Sequence, residues 1–121
     1  MSRRPSTVLA LVVLGVATAL ALGAPATLPE ADLSRAFLLG ADLAESDLFG
    51  ASLQGADAFG VDLRRANLAV ADLSGADLTE GNLSGANVNG ANFSGAKLAD
   101  AVLEGVDLQR AGGSPNLAGD E

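Results

Sequence analysis

Hydrophobic positions recur every five residues between residues 31 and 110, and small or polar residues fill the positions between them. Sixteen consecutive five-residue words, each close to Ala-Asp/Asn-Leu-x-Gly, make up this stretch. The central residue is Leu in 13 words, the first is Ala in 12, and the fifth is Gly in nine. This period predicts one repetitive architecture for the whole stretch.

A spacing of five fits neither a straight helix nor a straight strand. On a straight α-helix, successive central residues would be rotated by about 140°, which scatters the Leu side chains around the cylinder. On a straight strand, an odd spacing sends alternate Leu side chains to opposite faces. A bend in every word would point each Leu inward, and the Asp, Asn, Ser and Gly residues supply the turn chemistry for it. The pattern therefore predicts a coil with its Leu residues inside.

The word resembles Ala-Asp/Asn-Leu-x-x, the consensus of the pentapeptide-repeat family, and the resemblance covers residues 31–110. It implies an all-β fold, a right-handed quadrilateral β-helix (a pentapeptide-repeat solenoid) with four words per coil and about four coils. Residues twenty apart then stack in columns, and the central residues of each column line one wall. The expected central columns are Leu33-Leu53-Leu73-Phe93, Leu38-Ala58-Leu78-Leu98, Leu43-Leu63-Leu83-Leu103 and Leu48-Leu68-Val88-Leu108.

Some positions depart from this regular core. Ala58 leaves a gap in its column unless Phe59 turns inward to fill it, and we expect Phe59 to stay outward. Both ends of a solenoid need covers, because they carry unpaired backbone groups and apolar side chains. Leu28 and its neighbours are the expected N-terminal cover. Residues 111–121 are rich in Gly and predict a flexible C-terminal tail that caps poorly.

The first 26 residues have the organisation of a secretory signal peptide. Arg3 and Arg4 precede an apolar run from Val8 to Leu22, and an Ala-x-Ala sequence ends at Ala26. This order predicts a hydrophobic signal helix and cleavage after Ala26. The repeat domain would then be exported to the periplasm, a lumen or the extracellular space. The paired arginines also resemble the start of a twin-arginine signal, so both export routes stay open.

An uncleaved membrane anchor is the alternative, again with the repeat domain outside the cytoplasm. The apolar run would form a helix of about 23 Å, shorter than the roughly 30 Å hydrocarbon core, although an extended run up to Ala26 would just span it. The expected organisation is therefore a signal peptide or anchor at 1–26, a short lead-in at 27–30, the β-helix at 31–110 and the tail at 111–121.

Composition narrows the classes of function. The formal net charge is -8, with 15 acidic and 7 basic side chains, so we expect no direct binding to nucleic acid phosphates. The chain has no Cys, His, Trp or Tyr, which removes thiolate sites and the commonest general base and metal ligand. Ser94 and Lys97 are close in sequence, but they would point outward on successive walls without a pocket. We therefore expect no enzyme, no cofactor and no metal site.

Outward apolar residues supply the candidate contact site. Phe37, Leu39 and Phe59 would fall on one wall of the first two coils, and exposed apolar clusters mark interaction surfaces. The alternative is that the segment before Ala31 folds back and covers them. Phe49 would lie on a different wall as an isolated exposed residue.

Outward acids would also stack on neighbouring coils. Asp42 would lie over Asp62, and Asp57 over Asp77, with Lys97 continuing the second of these columns. A weak cation site and an acidic imitation of DNA phosphates are the functional interpretations. The alternative is that these are solvated repeat positions, whose Asp residues serve turns and solubility.

These features predict an exported, non-enzymatic scaffold or protein-interaction module with a protein partner. The alternative comes from resemblance to the best-understood branch of the family, acidic proteins that imitate DNA and protect DNA gyrase. Members of that branch are cytoplasmic, longer and dimerise through a C-terminal element. This chain has an export signal, about four coils and a tail without an apolar helix. Membrane contact would come only through an uncleaved N-terminal segment, and the oligomeric state stays open.

Overall fold

The structure, a computed structural model, describes residues 8–13, 16–21 and 27–117. From Thr27 onward, the five-residue words each make one short extended segment followed by one tight turn. In the turn, the backbone N–H of the next word donates to the carbonyl of the central residue, as from Ala41 N to Leu38 O at 2.9 Å. Each word therefore forms one side of a coil and redirects the chain at its end.

A left-handed residue completes this turn. Gly residues at the fifth position have φ between 65° and 77°, and the positive φ together with the closing hydrogen bond identifies a type II turn. Gly adopts this conformation easily because it has no Cβ. Other residue types are held in the same conformation, with φ between 57° and 63°, at Glu30, Arg35, Glu45, Arg65, Val70, Glu80 and Asp100.

The second residue of the word stabilises the turn through its side chain. Oδ1 of Asp72 accepts a hydrogen bond from the backbone N–H of Ser74 at 3.0 Å, and Oδ1 of Asn82 accepts one from Ser84 at 3.0 Å. This local bond across two residues explains why Asp and Asn dominate the second position, since both side chains reach the backbone ahead of them.

The coils stack in parallel with a period of twenty residues. Bridges join residues such as Asp42 and Asp62 on adjacent coils. The central N–H of Leu53 donates to Asp72 O at 2.7 Å, and Asp72 N donates back to Ala51 O at 2.9 Å. The result is a four-sided solenoid. We number its walls 1 to 4 after their words in the first complete coil, which are 31–35, 36–40, 41–45 and 46–50.

The core consists of the central residues and the small residues that begin each word. All central residues from Leu33 to Leu98 are buried, which confirms the inward direction predicted for the columns, and Leu103 and Leu108 are partly buried against them. Ala58 is fully buried, whereas Phe59 stays outward with 37% of its surface exposed, as predicted. The core is therefore almost entirely aliphatic.

Ser46 is the polar residue among the buried first positions, most of which hold Ala. It is 1% exposed, and its hydroxyl has no hydrogen-bond partner. A buried hydroxyl without a partner costs about 1–3 kcal/mol. Ser46 therefore weakens the coil where Ala would stabilise it.

The coil extends beyond the predicted bounds at both ends. Thr27 bridges Asp47, and Leu28 packs against the core, so the predicted lead-in belongs to wall 4. At the other end, a 3-10 helix at Leu108–Arg110 replaces the usual turn. The chain then returns to the coil, where Gly112 bridges Asn92 and Asn116 bridges Lys97. These residues cover the ends of walls 1 and 2, which differs from the expected tail that caps poorly; residues 118–121 lie outside the described residues.

The predicted N-terminal helix is not what the structure shows. Strand β1 (Val8–Val13) pairs in antiparallel register with strand β2 (Val16–Ala21), with Val8 opposite Ala21. Both strands contain β-branched Val residues, which favour extended backbone over helix. Within the described residues, none of the helices has the length and apolar character needed to cross a membrane.

We predict that Val70→Gly stabilises the protein. An L-residue in the left-handed conformation costs about 1–2 kcal/mol, which the substitution removes. The greater freedom of Gly in the unfolded chain offsets about 0.5–1 kcal/mol of this gain. Because Val70 is 55% exposed, little packing is lost. Urea denaturation should show a free energy of unfolding higher by about 1 kcal/mol.

Gly90→Val is the matched control, because Gly90 occupies the same position on the next coil. A Cβ at Gly90 would lie 3.6 Å from Val70 Cγ2, an ordinary contact, so the loss of stability expected there reports backbone strain and not a clash. A Val70→Gly variant no more stable than wild type would contradict this account.

Candidate protein-contact site

The three predicted contact residues lie together on wall 2. Phe37 is 52% exposed, Leu39 is 67% exposed and Phe59 is 37% exposed. The backbone ties their two coils directly, since Gly40 N donates to Phe59 O at 2.9 Å. Leu39 and Phe59 occupy the same position on successive coils, and Phe37 bridges Asp57 beside them. We call Phe37, Leu39 and Phe59 the apolar patch.

The patch occupies only the first half of its wall. Further along wall 2, the corresponding outward positions hold Asp77 and Lys97 in the column of Phe37, and Thr79 and Ala99 in the column of Leu39. The apolar character therefore does not follow from the fold, because the same outward positions accept polar residues two coils later.

The residues directly before Ala31 do not cover the patch. Residues 27–30 lie on wall 4, where Leu28 N donates to Asp47 O at 2.8 Å and Glu30 N donates to Phe49 O at 2.7 Å. These four residues therefore do not fold over wall 2, which was the alternative for the segment before Ala31. The side chains earlier in the segment lie outside the described residues.

Sequence reasoning missed a second exposed apolar pair. Phe49, predicted to be isolated, is 42% exposed on wall 4, and Val70 is 55% exposed on the next coil of that wall. Gly50 N donates to Ala69 O at 2.9 Å, which joins the two segments. The sequence feature that could have indicated this pair is Val70 at a fifth position, where Gly is the usual residue.

The predicted acidic columns form, but basic side chains interrupt them. Asp42 bridges Asp62, and Asp57 bridges Asp77, which in turn bridges Lys97. The Arg64 guanidinium donates to both carboxylate oxygens of Asp62, at 2.9 and 2.7 Å.

These hydrogen bonds stabilise the charged forms of both Asp62 and Arg64. Those from Arg64 are the main cause that lowers the pKa of Asp62, and the same contact raises the pKa of Arg64. Arg65 pairs across coils with Glu45 at 2.8 Å. The carboxylates of wall 3 are therefore partly neutralised.

The described residues offer few groups that could bind a metal ion or take part in catalysis. Among the described residues, no group of three or more acidic side chains could hold a metal ion. Ser94 lies on wall 1 and Lys97 on wall 2, as predicted. A surface cavity of about 350 Å³ lies at the end of wall 1, lined by Ser34, Arg35, Gln54 and Gly55.

Comparison with known proteins agrees with this geometry. A family model described as pentapeptide repeats matches residues 28–65, 59–95 and 77–111, with eight copies. The chain belongs to the pentapeptide repeat family. Members form right-handed quadrilateral β-helices, which is the four-sided coil described above. None of the curated proteins matches the chain.

Solved structures of other pentapeptide repeat proteins share the fold. Rfr23 from the cyanobacterium Cyanothece 51142 is 37% identical, with a TM-score of 0.75 over 81% of this chain and 67% of that chain. A pentapeptide repeat protein from Nostoc Pcc 7120 is 42% identical, with a TM-score of 0.60 over 61% of each chain.

A pentapeptide repeat protein from the Arabidopsis thaliana thylakoid lumen is 34% identical, with a TM-score of 0.51 over 65% of this chain. The match covers 59% of that protein and 61% of the Nostoc protein. The chain therefore spans about three fifths of the length of these two relatives.

Proposed function

We propose that this chain is an exported, non-enzymatic pentapeptide repeat protein that acts as a structural scaffold or protein-interaction module. Its contact site would be the apolar patch of Phe37, Leu39 and Phe59. The observation that carries this proposal is the exposure of three large apolar side chains on adjacent coils of a wall whose later coils carry polar or small residues at the same positions.

The free energy gained by burying these side chains against a partner supports a binding role for the patch. Burying a large apolar side chain against a partner contributes roughly 1.5–3 kcal/mol. The backbone of the solenoid holds Leu39 and Phe59 at the spacing of adjacent parallel strands, so little ordering of the patch is needed on binding. A rigid surface of this kind binds with a smaller entropic cost than a mobile one.

Export is supported by the order of features before the coil. Arg3 and Arg4, an apolar run and the Ala-x-Ala sequence ending at Ala26 are typical of a secretory signal. Thr27, the residue after the proposed cleavage site, bridges Asp47 on the next coil. Cleavage after Ala26 would therefore leave the described solenoid intact. One similar structure, from Arabidopsis thaliana, is a protein of the thylakoid lumen.

The charge pattern favours this function over an acidic imitation of DNA. None of the columns of second-position residues has more than two successive carboxylates; wall 3, for example, continues from Asp42 and Asp62 to Asn82. Arg64 and Arg65 further reduce the charge of that wall. A DNA strand, by contrast, carries a phosphate about every 3.4 Å without interruption.

We predict that the mature protein begins at Thr27 and lies outside the cytoplasm. Mass spectrometry of the intact protein from separated cell fractions measures both properties at once. An intact Met1 in the cytoplasmic fraction would contradict export. An intact Met1 in the membrane fraction would instead show that the N-terminal segment is an uncleaved membrane anchor.

We also predict that Phe37→Ser combined with Phe59→Ser removes partner binding. Loss of two buried aromatic contacts should weaken affinity at least about a hundredfold, measured by affinity capture of the exported protein and titration of the captured partner. Thermal unfolding should show that the double variant still folds cooperatively, because neither side chain belongs to the buried core.

Phe49→Ser is the matched control for this pair. Phe49 has similar exposure, 42%, but lies on wall 4, so its replacement should leave partner binding unchanged. Equal capture by wild type and the double variant, or no partner for either, would contradict the assigned contact site.

A further inference from the structure

Arg35 differs from most other basic residues of the solenoid in its surroundings. Arg64, Arg65 and Arg110 each pair with a carboxylate, at 2.7, 2.8 and 3.2 Å. Within residues 27–117, the basic side chains outside these ion pairs are Arg35 and Lys97. An unpaired guanidinium on a strongly acidic protein is a local binding group for a carboxylate, since its planar fork matches both oxygens.

The position of Arg35 is fixed by its own coil and the next one. Arg35 N donates to Gln54 O at 2.8 Å. Its stem crosses Gly55, where an added Cβ would lie only 3.3 Å from Arg35 Cγ. Arg35 is one of the residues that line the cavity of about 350 Å³, together with Ser34, Gln54 and Gly55.

This cavity adjoins the apolar patch across one corner of the solenoid. Arg35 ends the word on wall 1, and Phe37 is the second residue of the next word on wall 2. The chain turns at Ser34 and Arg35, where Ala36 N donates to Leu33 O at 3.1 Å, and Arg35 and Phe37 therefore lie on neighbouring walls on either side of the buried Ala36. A cation and an exposed aromatic ring therefore lie within two residues of each other.

We propose that this corner binds the C-terminal residue of an extended partner peptide. Arg35 pairs with the terminal carboxylate, and the apolar patch receives the side chain of that residue and its neighbour. Only a C-terminal residue carries a carboxylate and an apolar side chain on one Cα, which suits two complementary groups this close together. The inference rests on the proposed function, because it names the part of the partner that contacts the same patch.

The charge balance favours a single carboxylate over an acidic segment. The chain has a net charge of -8, so a peptide with several acids would be repelled as it approached. On wall 1, Oδ1 of Asp32 accepts hydrogen bonds from the N–H and hydroxyl of Ser34. On wall 2, Asp57 bridges Phe37. Arg35 forms no ion pair with either of these acidic residues, so its charge is available to a ligand.

The test uses N-acetylated Gly-Gly-Leu-Phe as the free acid and as the C-terminal amide. Both are titrated into the full chain, with binding followed by NMR of the isotope-labelled protein. The free acid should bind about tenfold or more tightly than the amide. Arg35→Gln should abolish this preference, while Lys97→Gln, the matched control, should keep it. Phe59→Ser should weaken both peptides in parallel.

The remaining outcomes overturn the inference. Equal binding of acid and amide, no binding of either, an unchanged preference in Arg35→Gln, or no effect of Phe59→Ser would each do so. Equal binding that Phe59→Ser abolishes would reject the carboxylate site while leaving the contact patch of the proposed function in place. Loss of partner capture in the Phe37 and Phe59 variants remains the separate test of that function.

Discussion

The left-handed residue at the end of each word is the constraint on which the rest of the structure depends. Because the chain turns there, each Leu points inward although the repeat has five residues, a length that suits neither helix nor straight strand. The turn also sets the coil at twenty residues, which brings Asp42 over Asp62 and allows the parallel hydrogen bonds between coils. Gly satisfies this requirement without strain, and residues such as Val70 meet it only because the neighbouring coils hold them there.

A consequence is that the core and the outer surface are nearly independent. Central and first positions build the interior, whereas the second, fourth and fifth positions face outward and can vary with little effect on the core. The outer positions therefore carry whatever is specific to this protein. Phe37, Leu39 and Phe59 are large and apolar where later coils have polar or small residues, and Arg35 is cationic where the next three coils have Gly. Function is thus expected at departures from the repeat.

The repeat made most of the solenoid predictable, since one rule applies to every word. The buried columns, the outward Phe59 and the stacking of Asp57 on Asp77 all followed from it. Features that depend on the end of the repeat did not follow. The return of residues 112–116 to the coil and the strands at Val8–Val13 and Val16–Ala21 have no repeated pattern to mark them. The cavity beside Arg35 depends on how two coils pack, which one word cannot show.

Crosslinking of introduced cysteines tests the twenty-residue coil most directly, because the natural chain has no Cys. Asn67 and Asn87 bridge each other on wall 4, whereas Asp77 lies on the opposite wall although it is nearer to Asn67 in sequence. Under mild oxidation, Asn67→Cys with Asn87→Cys should form a disulfide, and Asn67→Cys with Asp77→Cys should not, since a disulfide needs Cα atoms within about 7 Å. An unfolded or differently coiled chain would favour the shorter loop. Faster crosslinking of the 67/77 pair would contradict the account.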